Sequence, residues 1–326
     1  MKRDNTIDLL RGIAILVVYL GHSILYHPIE MEAMYPWCHW LVTSIISFNM
    51  PMFFILSGYL FAKSQKGVKE SYEGKVKRLL IPYLFTMAIL IGMKLVLPTS
   101  MSYNKSVGGG FSSLVINALC YGGDCWFVYV MFIICVILIP FKKLLNRTWI
   151  PMIFIAALTG LYFLKVMPNF MKLGDVSYFM EFFLAGYIMK NMWPNMKTFC
   201  AKYWYVTIPL FLLANLLFVM PLTKIPFVFR FILPFTGFFA SQSMAELLAK
   251  KETALSKSIA YCGKYSLQFY LFTFCYPIIR WGIVSVLHVT NPFVILLSVF
   301  VLQLITITII VEISRRIQFL KIPCGY

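Results

Sequence analysis

Acidic side chains are scarce in this sequence: 12 Asp and Glu stand against 29 Lys and Arg over 326 residues, and charged residues of both signs make up only 13%. Soluble domains carry about a quarter charged residues, so a water-exposed globular surface is excluded. The 60% hydrophobic content would leave such a domain with more apolar surface than it could cover. The net charge of +17 does not indicate nucleic acid, because the basic residues are scattered between apolar runs rather than gathered into one stripe. The eight cysteines form no CxxC pair and no Cys/His cluster at zinc spacing, so no metal is expected. Gly108-Gly109-Gly110 lacks the GxxxxGK[ST] pattern of a phosphate loop. No small-residue cleavage site follows the first apolar run, where Tyr26, His27, Pro28 and Ile29 are bulky, so the basic Lys2-Arg3 start reads as a retained signal-anchor. With no polar stretch long enough to fold alone and no repeat of fixed period, residues 1–326 are expected to form a single membrane domain with no appended soluble domain.

What the chain does have is long apolar runs. At about 20 residues per crossing, spans are placed at 7–27, 39–62, 79–97, 125–141, 149–166, 176–190, 203–221, 225–248, 259–287 and 292–314. This is an all-α polytopic helical bundle of about ten transmembrane helices. The connections after even-numbered spans hold most of the cations, among them Lys63, Lys75, Lys77, Arg78, Lys142, Lys190 and Lys257, whereas the other side offers only Lys105, Lys165, Lys172 and Lys224. By the positive-inside rule both termini are cytoplasmic. The longest connection, Pro98 to Asp124, contains an apolar run, Leu114 to Leu119, too short to cross and suited to a lid or re-entrant piece. Cys120 and Cys125 fall in this extracytoplasmic connection, where a disulfide or two thiols remain open readings.

Ionisable residues inside spans are costly and are functional candidates by default. Arg11 and His22 both lie in the first span. Eleven residues at 100° each amount to about three turns, so the two share one face about 16 Å apart along the axis. On an ideal helix starting near Ile7, His22 lies about 22 Å along, past the middle of a hydrocarbon core about 30 Å thick. Arg11 also has a quieter reading, pairing with Asp8 one turn earlier or snorkelling. Glu181, Arg230 and Arg280 fall within spans and either line a cavity or pair within the bundle, while Lys94 near a helix end reads as snorkelling. In the second span Pro51 removes a helical hydrogen bond and Ser57-Gly58 permits close approach of another helix. The third opens on the basic run Lys75-Val76-Lys77-Arg78, suited to topology anchoring or anionic lipid.

Taken together these pieces resemble one family. Arg11 with His22, Asn49-Met50-Pro51-Met52-Phe53-Phe54 with Ser57-Gly58-Tyr59, and Lys77-Arg78-Leu79 with Pro82 are similar to the acyltransferase-3 family of integral membrane acyltransferases. Trp126-Phe127, Phe182-Phe183-Leu184-Ala185-Gly186 and Gly263-Lys264-Tyr265-Ser266-Leu267 continue the resemblance in the expected order over essentially the whole chain. One departure is Thr273, where family members often carry a second histidine.

The resemblance implies a multi-pass enzyme of the cytoplasmic (inner) membrane that moves an acyl group, usually acetyl from acetyl-CoA as co-substrate, onto a sugar hydroxyl. It implies no metal. A cell-surface polysaccharide or a lipid-linked sugar precursor is the expected acceptor, with polysaccharide-assembly proteins as expected partners alongside the lipid bilayer. It carries His22 and Arg11 as catalytic residues and Arg11, Arg78 and Lys77 as contacts to the donor. A histidine suits the chemistry, since a base of near-neutral pKa can take a hydroxyl proton as the oxygen attacks a thioester. A covalent acyl-histidine is the other route, and guanidinium forks match phosphate oxygens. The rival class is a transporter or flippase for an envelope glycan or anionic substrate, which buried charges in ten spans would also serve.

Overall fold

The computed structural model describes residues 4–25, 30–98, 101, 110–147, 149–164, 168, 170–219, 225 and 227–326. The topology cations Lys2, Arg3, Lys105, Lys165 and Lys224, the Tyr26–Ile29 segment and Gly108-Gly109 lie outside them. In chain order the principal helices are α1 (Asn5–Ile24), α2 (Pro36–Lys63), α3 (Val68–Val96), α4 (Phe111–Tyr121), α5 (Trp126–Leu138), α6 (Trp149–Phe163) and α7 (Leu173–Ile188). They continue with α8 (Trp193–Lys202), α9 (Trp204–Ala214), α10 (Leu233–Ala249), α11 (Ala254–Lys264), α12 (Ser266–Leu271), α13 (Tyr276–Trp281) and α14 (Pro292–Arg316). No strand occurs among the described residues, as an all-α membrane bundle requires.

All ten expected spans fall on helical segments, but they differ in length and continuity. Among the described residues six runs are long and apolar enough to cross: Asn5–Ile24, Pro36–Lys63, Val68–Val96, Phe111–Leu138, Ser266–Val286 and Pro292–Arg316. A seventh is the pair Trp193–Lys202 and Trp204–Val219, bent by 86°. The expected spans at 149–166 and 176–190 are helices of 15 and 16 residues, about 23 Å at 1.5 Å per residue, and need tilt-free placement or local thinning to cross. Of the expected span at 225–248, residues 227–248 are helical, and they carry buried Ser241, Gln242 and Ser243, which dilute its apolar character. The Leu114–Leu119 run is not a separate lid: it lies in α4, which joins α5 through Gly122 (φ 76°), Gly123 (φ 49°) and a short 3-10 turn. Positive φ at both positions is what glycine supplies without strain.

The chain divides into two compact units. The first holds residues 1–53 and 191–305, the second 54–190 and 306–326, so α2 and α14 each contribute to both. In the first unit, α1 begins at Asp4, whose side chain accepts the Thr6 N–H at 3.0 Å, and Asp8 adds a negative charge to the first turn. Lys197 holds Asp4 from α8 at 3.2 Å. Gly12 lies against the Ile259 carbonyl of α11, and Gly263 of α11 lies against the Asp8 carbonyl. Small residues on both helices thereby bring the two backbones into contact, the usual device where lipid supplies no hydrophobic drive. A capping box of Thr253 and Ser256 starts α11. Beyond the end of α1, Ile24, Met31, Cys38, Val42, Ile283, Ile295 and Val299 form a buried cluster.

The second unit repeats this logic. Gly58 of α2 meets the Phe183 carbonyl of α7, and Gly186 of α7 meets the Ile55 carbonyl. The Ser57-Gly58 expectation of close helix approach is met there. Phe54 stacks on Phe179 (4.6 Å between centroids) and meets Phe127 edge-on at 5.1 Å. The Tyr83 hydroxyl donates to the Ala118 carbonyl at 2.5 Å, tying α3 to α4.

Candidate active site

α1 and α2 are the most buried of the long apolar helices: in their most apolar 18-residue stretches 72% and 78% of residues are buried, against 28% for α3 and for α14. Of these two, α1 carries both Arg11 and His22. His22 lies in the last turn of α1 and Arg11 three turns earlier, and both side chains are half-buried. The structure therefore brings these two predicted residues onto one helix, with His22 close to the helix end.

That end is organised from α13. The His22 ring stacks on the Tyr276 ring, with centroids 5.2 Å apart and an interplanar angle of 18°. Because α1 stops at Ile24, the Ser23 carbonyl is one of the last four in the helix and has no intrahelical donor. Arg280 Nη1 donates to it at 2.7 Å. Tyr276 and Arg280 are four residues apart, so they share one face of α13, and both are fully buried. One turn below His22, the Tyr19 hydroxyl donates to the Phe269 carbonyl of α12 at 2.7 Å. Ser23 Oγ donates to the Tyr19 carbonyl at 2.8 Å. The last turn of α1 is thus tied to two other elements on the side that carries the imidazole.

Sequence reasoning singled out Arg280 only as an intramembrane cation and missed Tyr276. The one available signal was their i, i+4 spacing in Tyr276-Pro277-Ile278-Ile279-Arg280. Thr273, standing where a second histidine is often found, donates its hydroxyl to the Tyr270 carbonyl at 2.7 Å and is buried.

Lys77 and Arg78 belong to the second unit. They sit in a π-turn, Val76–Leu80, inside α3, and both are exposed. Pro82 explains the local geometry, since it lacks the N–H that would bond the Arg78 carbonyl and so interrupts the regular ladder. Lys94 is not a snorkelling residue: its ammonium is 2.5 Å from Asp124, and the two side chains are 13% and 6% exposed. Lys94 lines a small cavity with Asn117, Gly123 and Asp124, where the carboxylate is its partner. Glu181 accepts from the Thr159 hydroxyl at 3.0 Å, and the Arg230 guanidinium lies 5.8 Å from the Phe231 ring centre. Cys120 and Cys125 are free thiols. Among the described residues no group of three or more His, Cys, Asp or Glu side chains could hold a metal ion.

Fold and site together define a multi-pass membrane protein with an imidazole fixed inside its helical bundle. The acyltransferase domain model of the acyltransferase-3 family matches residues 4–312, so the chain belongs to that family of membrane acyltransferases. It is similar to Nodulation protein NolL of Mesorhizobium japonicum, with 28% identity over 134 residues, which is 40% of this chain and 34% of the relative. The chain thus spans about a third of that relative's length. No solved structure matches it.

Proposed function

We propose that this acyltransferase moves an acetyl group from acetyl-CoA to a hydroxyl of a cell-surface polysaccharide or a lipid-linked sugar precursor, at the cytoplasmic membrane. The observation that carries the reading is the fixed imidazole: His22 stacked on Tyr276, with the adjacent Ser23 carbonyl held by Arg280. In this scheme His22 is the general base. As the acceptor oxygen attacks the thioester carbonyl, His22 takes the hydroxyl proton. The tetrahedral intermediate then collapses, the carbon–sulfur bond breaks, and the coenzyme leaves as a thiol once it receives a proton. Holding the ring before the substrate arrives removes a reorganisation step from the barrier.

Arg11, on the same helix face, supplies a cation for the donor's phosphates, where a guanidinium forms charge-assisted bonds; Arg78 and Lys77, exposed in the second unit, are proposed as donor contacts on the strength of the family resemblance alone. Polysaccharide-assembly proteins would deliver the acceptor. The test is purified protein in vesicles supplied with labelled acetyl-CoA and glycan. Label should enter the glycan with wild type and not with His22→Ala, while the variant elutes as a folded protein. Glycan translocation without labelling would overturn the proposal in favour of transport.

A further inference from the structure

Four lysines of the second unit, read from sequence as topology signals on three separate connections, are gathered at one place by the fold. Lys142, just beyond α5, donates to the Ser64 carbonyl past the end of α2 at 2.5 Å and lies 5.0 Å over the Phe61 ring. The Tyr187 hydroxyl, near the end of α7, donates to Asn146 Oδ1 at 2.8 Å and lies 3.3 Å from the Lys142 carbonyl, and Lys190 follows it by three residues. Tyr72 of α3 donates to the Val136 carbonyl of α5 at 3.0 Å, and Lys75, one turn on, is near enough to Cys135 for its charge to act there. Lys63 donates to the Tyr59 hydroxyl at 2.9 Å. Among the described residues none of Lys63, Lys75, Lys142 and Lys190 has an acidic partner, although Lys66 nearby has Glu70.

Helix ends account for only part of this charge. Three helix C-termini meet here, those of α2, α5 and α7, and each carries about half a negative charge, about −1.5 between them. Four ammonium groups leave a surplus of more than two positive charges. Lys142 registers the crowding: burial first, then the like charges of Lys190 and Lys75, push its pKa below the ordinary lysine range. Gathering unpaired cations is unfavourable for the protein alone, and an anion that binds them recovers that energy.

We propose that Lys75, Lys142 and Lys190 form a binding site for a phosphate-bearing anion at the cytoplasmic end of the second unit. The three ammonium groups come from separate segments and lie close enough to repel one another, an arrangement that suits the several oxygens of a phosphate or diphosphate better than a single carboxylate. Two sources carry this chemistry, the phosphates of the acyl donor and the headgroup of an anionic lipid. The donor source rests on the function proposed above; the lipid source does not.

The experiment uses the full chain in nanodiscs of phosphatidylcholine or of phosphatidylglycerol. Lys190→Gln removes no side-chain hydrogen bond, and Lys75→Gln/Lys190→Gln leaves the Lys142–Ser64 contact in place. The probes are CoA, read by calorimetry, and phosphatidylglycerol retained through purification, read by native mass spectrometry. If the donor occupies the site, CoA binding in phosphatidylcholine weakens about tenfold per lysine removed, as expected for lost charge-assisted bonds. The control Lys69→Gln/Lys257→Gln leaves it unchanged. If lipid occupies the site, CoA binding holds and retained phosphatidylglycerol is lost from the double variant. Unchanged binding of both probes in the double variant overturns the site. CoA binding that depends on these lysines in a protein with no acyl transfer supports the site and counts against the proposed function.

Discussion

The contact between α1 and α11 offers a quantitative test, because the sign of a glycine-to-alanine change there is set by two opposing effects. At a helical position with open space, replacing glycine by alanine stabilises by about 0.4–1 kcal/mol through the unfolded chain. Gly160 in α6 has such space, with no neighbour within 4 Å of a built Cβ. At Gly12 the same atom falls inside the Ile259 carbonyl, and at Gly263 inside the Asp8 carbonyl. Carbon–oxygen contacts settle at about 3.3–3.6 Å, so the helices must part by ~1 Å or more. Overpacking of this kind costs about 1–3 kcal/mol, and with backbone as the obstructing group the upper end applies. Steric cost therefore wins at Gly12 and Gly263, and entropy wins at Gly160.

In detergent, monitored by fluorescence-detected thermal unfolding, Gly12→Ala and Gly263→Ala should each lower the midpoint and Gly160→Ala should not. Both glycines bear on one interhelical gap, so the double variant should cost less than the sum of the singles. Since α1 carries Arg11 and His22, a displacement of ~1 Å should also reduce transfer by up to about a hundredfold. A wild-type midpoint for both single variants would refute the packing reasoning. Independent, additive losses would show that the two glycines do not act at one contact.

Three further outcomes follow from the site and its surroundings. Tyr276→Phe should keep the stack on His22 and retain transfer, whereas Tyr276→Leu should lower kcat about three- to tenfold, the rate equivalent of a lost aromatic pair; equal rates for the two variants would refute the role of the ring. Lys94→Met leaves a 6%-exposed Asp124 carboxylate unpaired and should cost about 3–5 kcal/mol, while Lys94→Met/Asp124→Leu should recover most of that loss in the same unfolding assay. Because the folded-state pKa of Lys142 is lowered, the unfolded chain binds more protons between that value and the ordinary lysine pKa. Stability should therefore rise with pH across that alkaline window, and Lys142→Met should flatten the rise in unfolding curves recorded from neutral to alkaline pH.

Membership of the helical membrane class was readable from the sequence because it depends on one-dimensional quantities: apolar run length, the scarcity of acids and the side on which cations fall. The Arg11–His22 pairing was also readable, since helical periodicity alone places both on one face of α1. Gly58 announced a close helix contact, but not that Phe183 and a reciprocal Gly186 would complete it. Helix ends were harder to read, and the run through Gly122 and Gly123 that joins α4 to α5 depends on backbone conformations that hydropathy does not encode.

Tertiary structure alone decided which distant residues met. Tyr276 and Arg280 lie more than 250 positions from His22 and Ser23, and no local pattern couples them; the packing of α13 against the end of α1 does. Lys94 carried the same charge as any interfacial lysine until Asp124 came within 2.5 Å. Lys75, Lys142 and Lys190 are unremarked topology cations along the chain, and become an anion site only because the ends of three helices converge. Sequence by itself determines where helices form and which face of each is apolar, since those follow from local spacing. Which charges must share a volume follows from helix packing, because Coulomb interactions depend on distance in space and not along the chain.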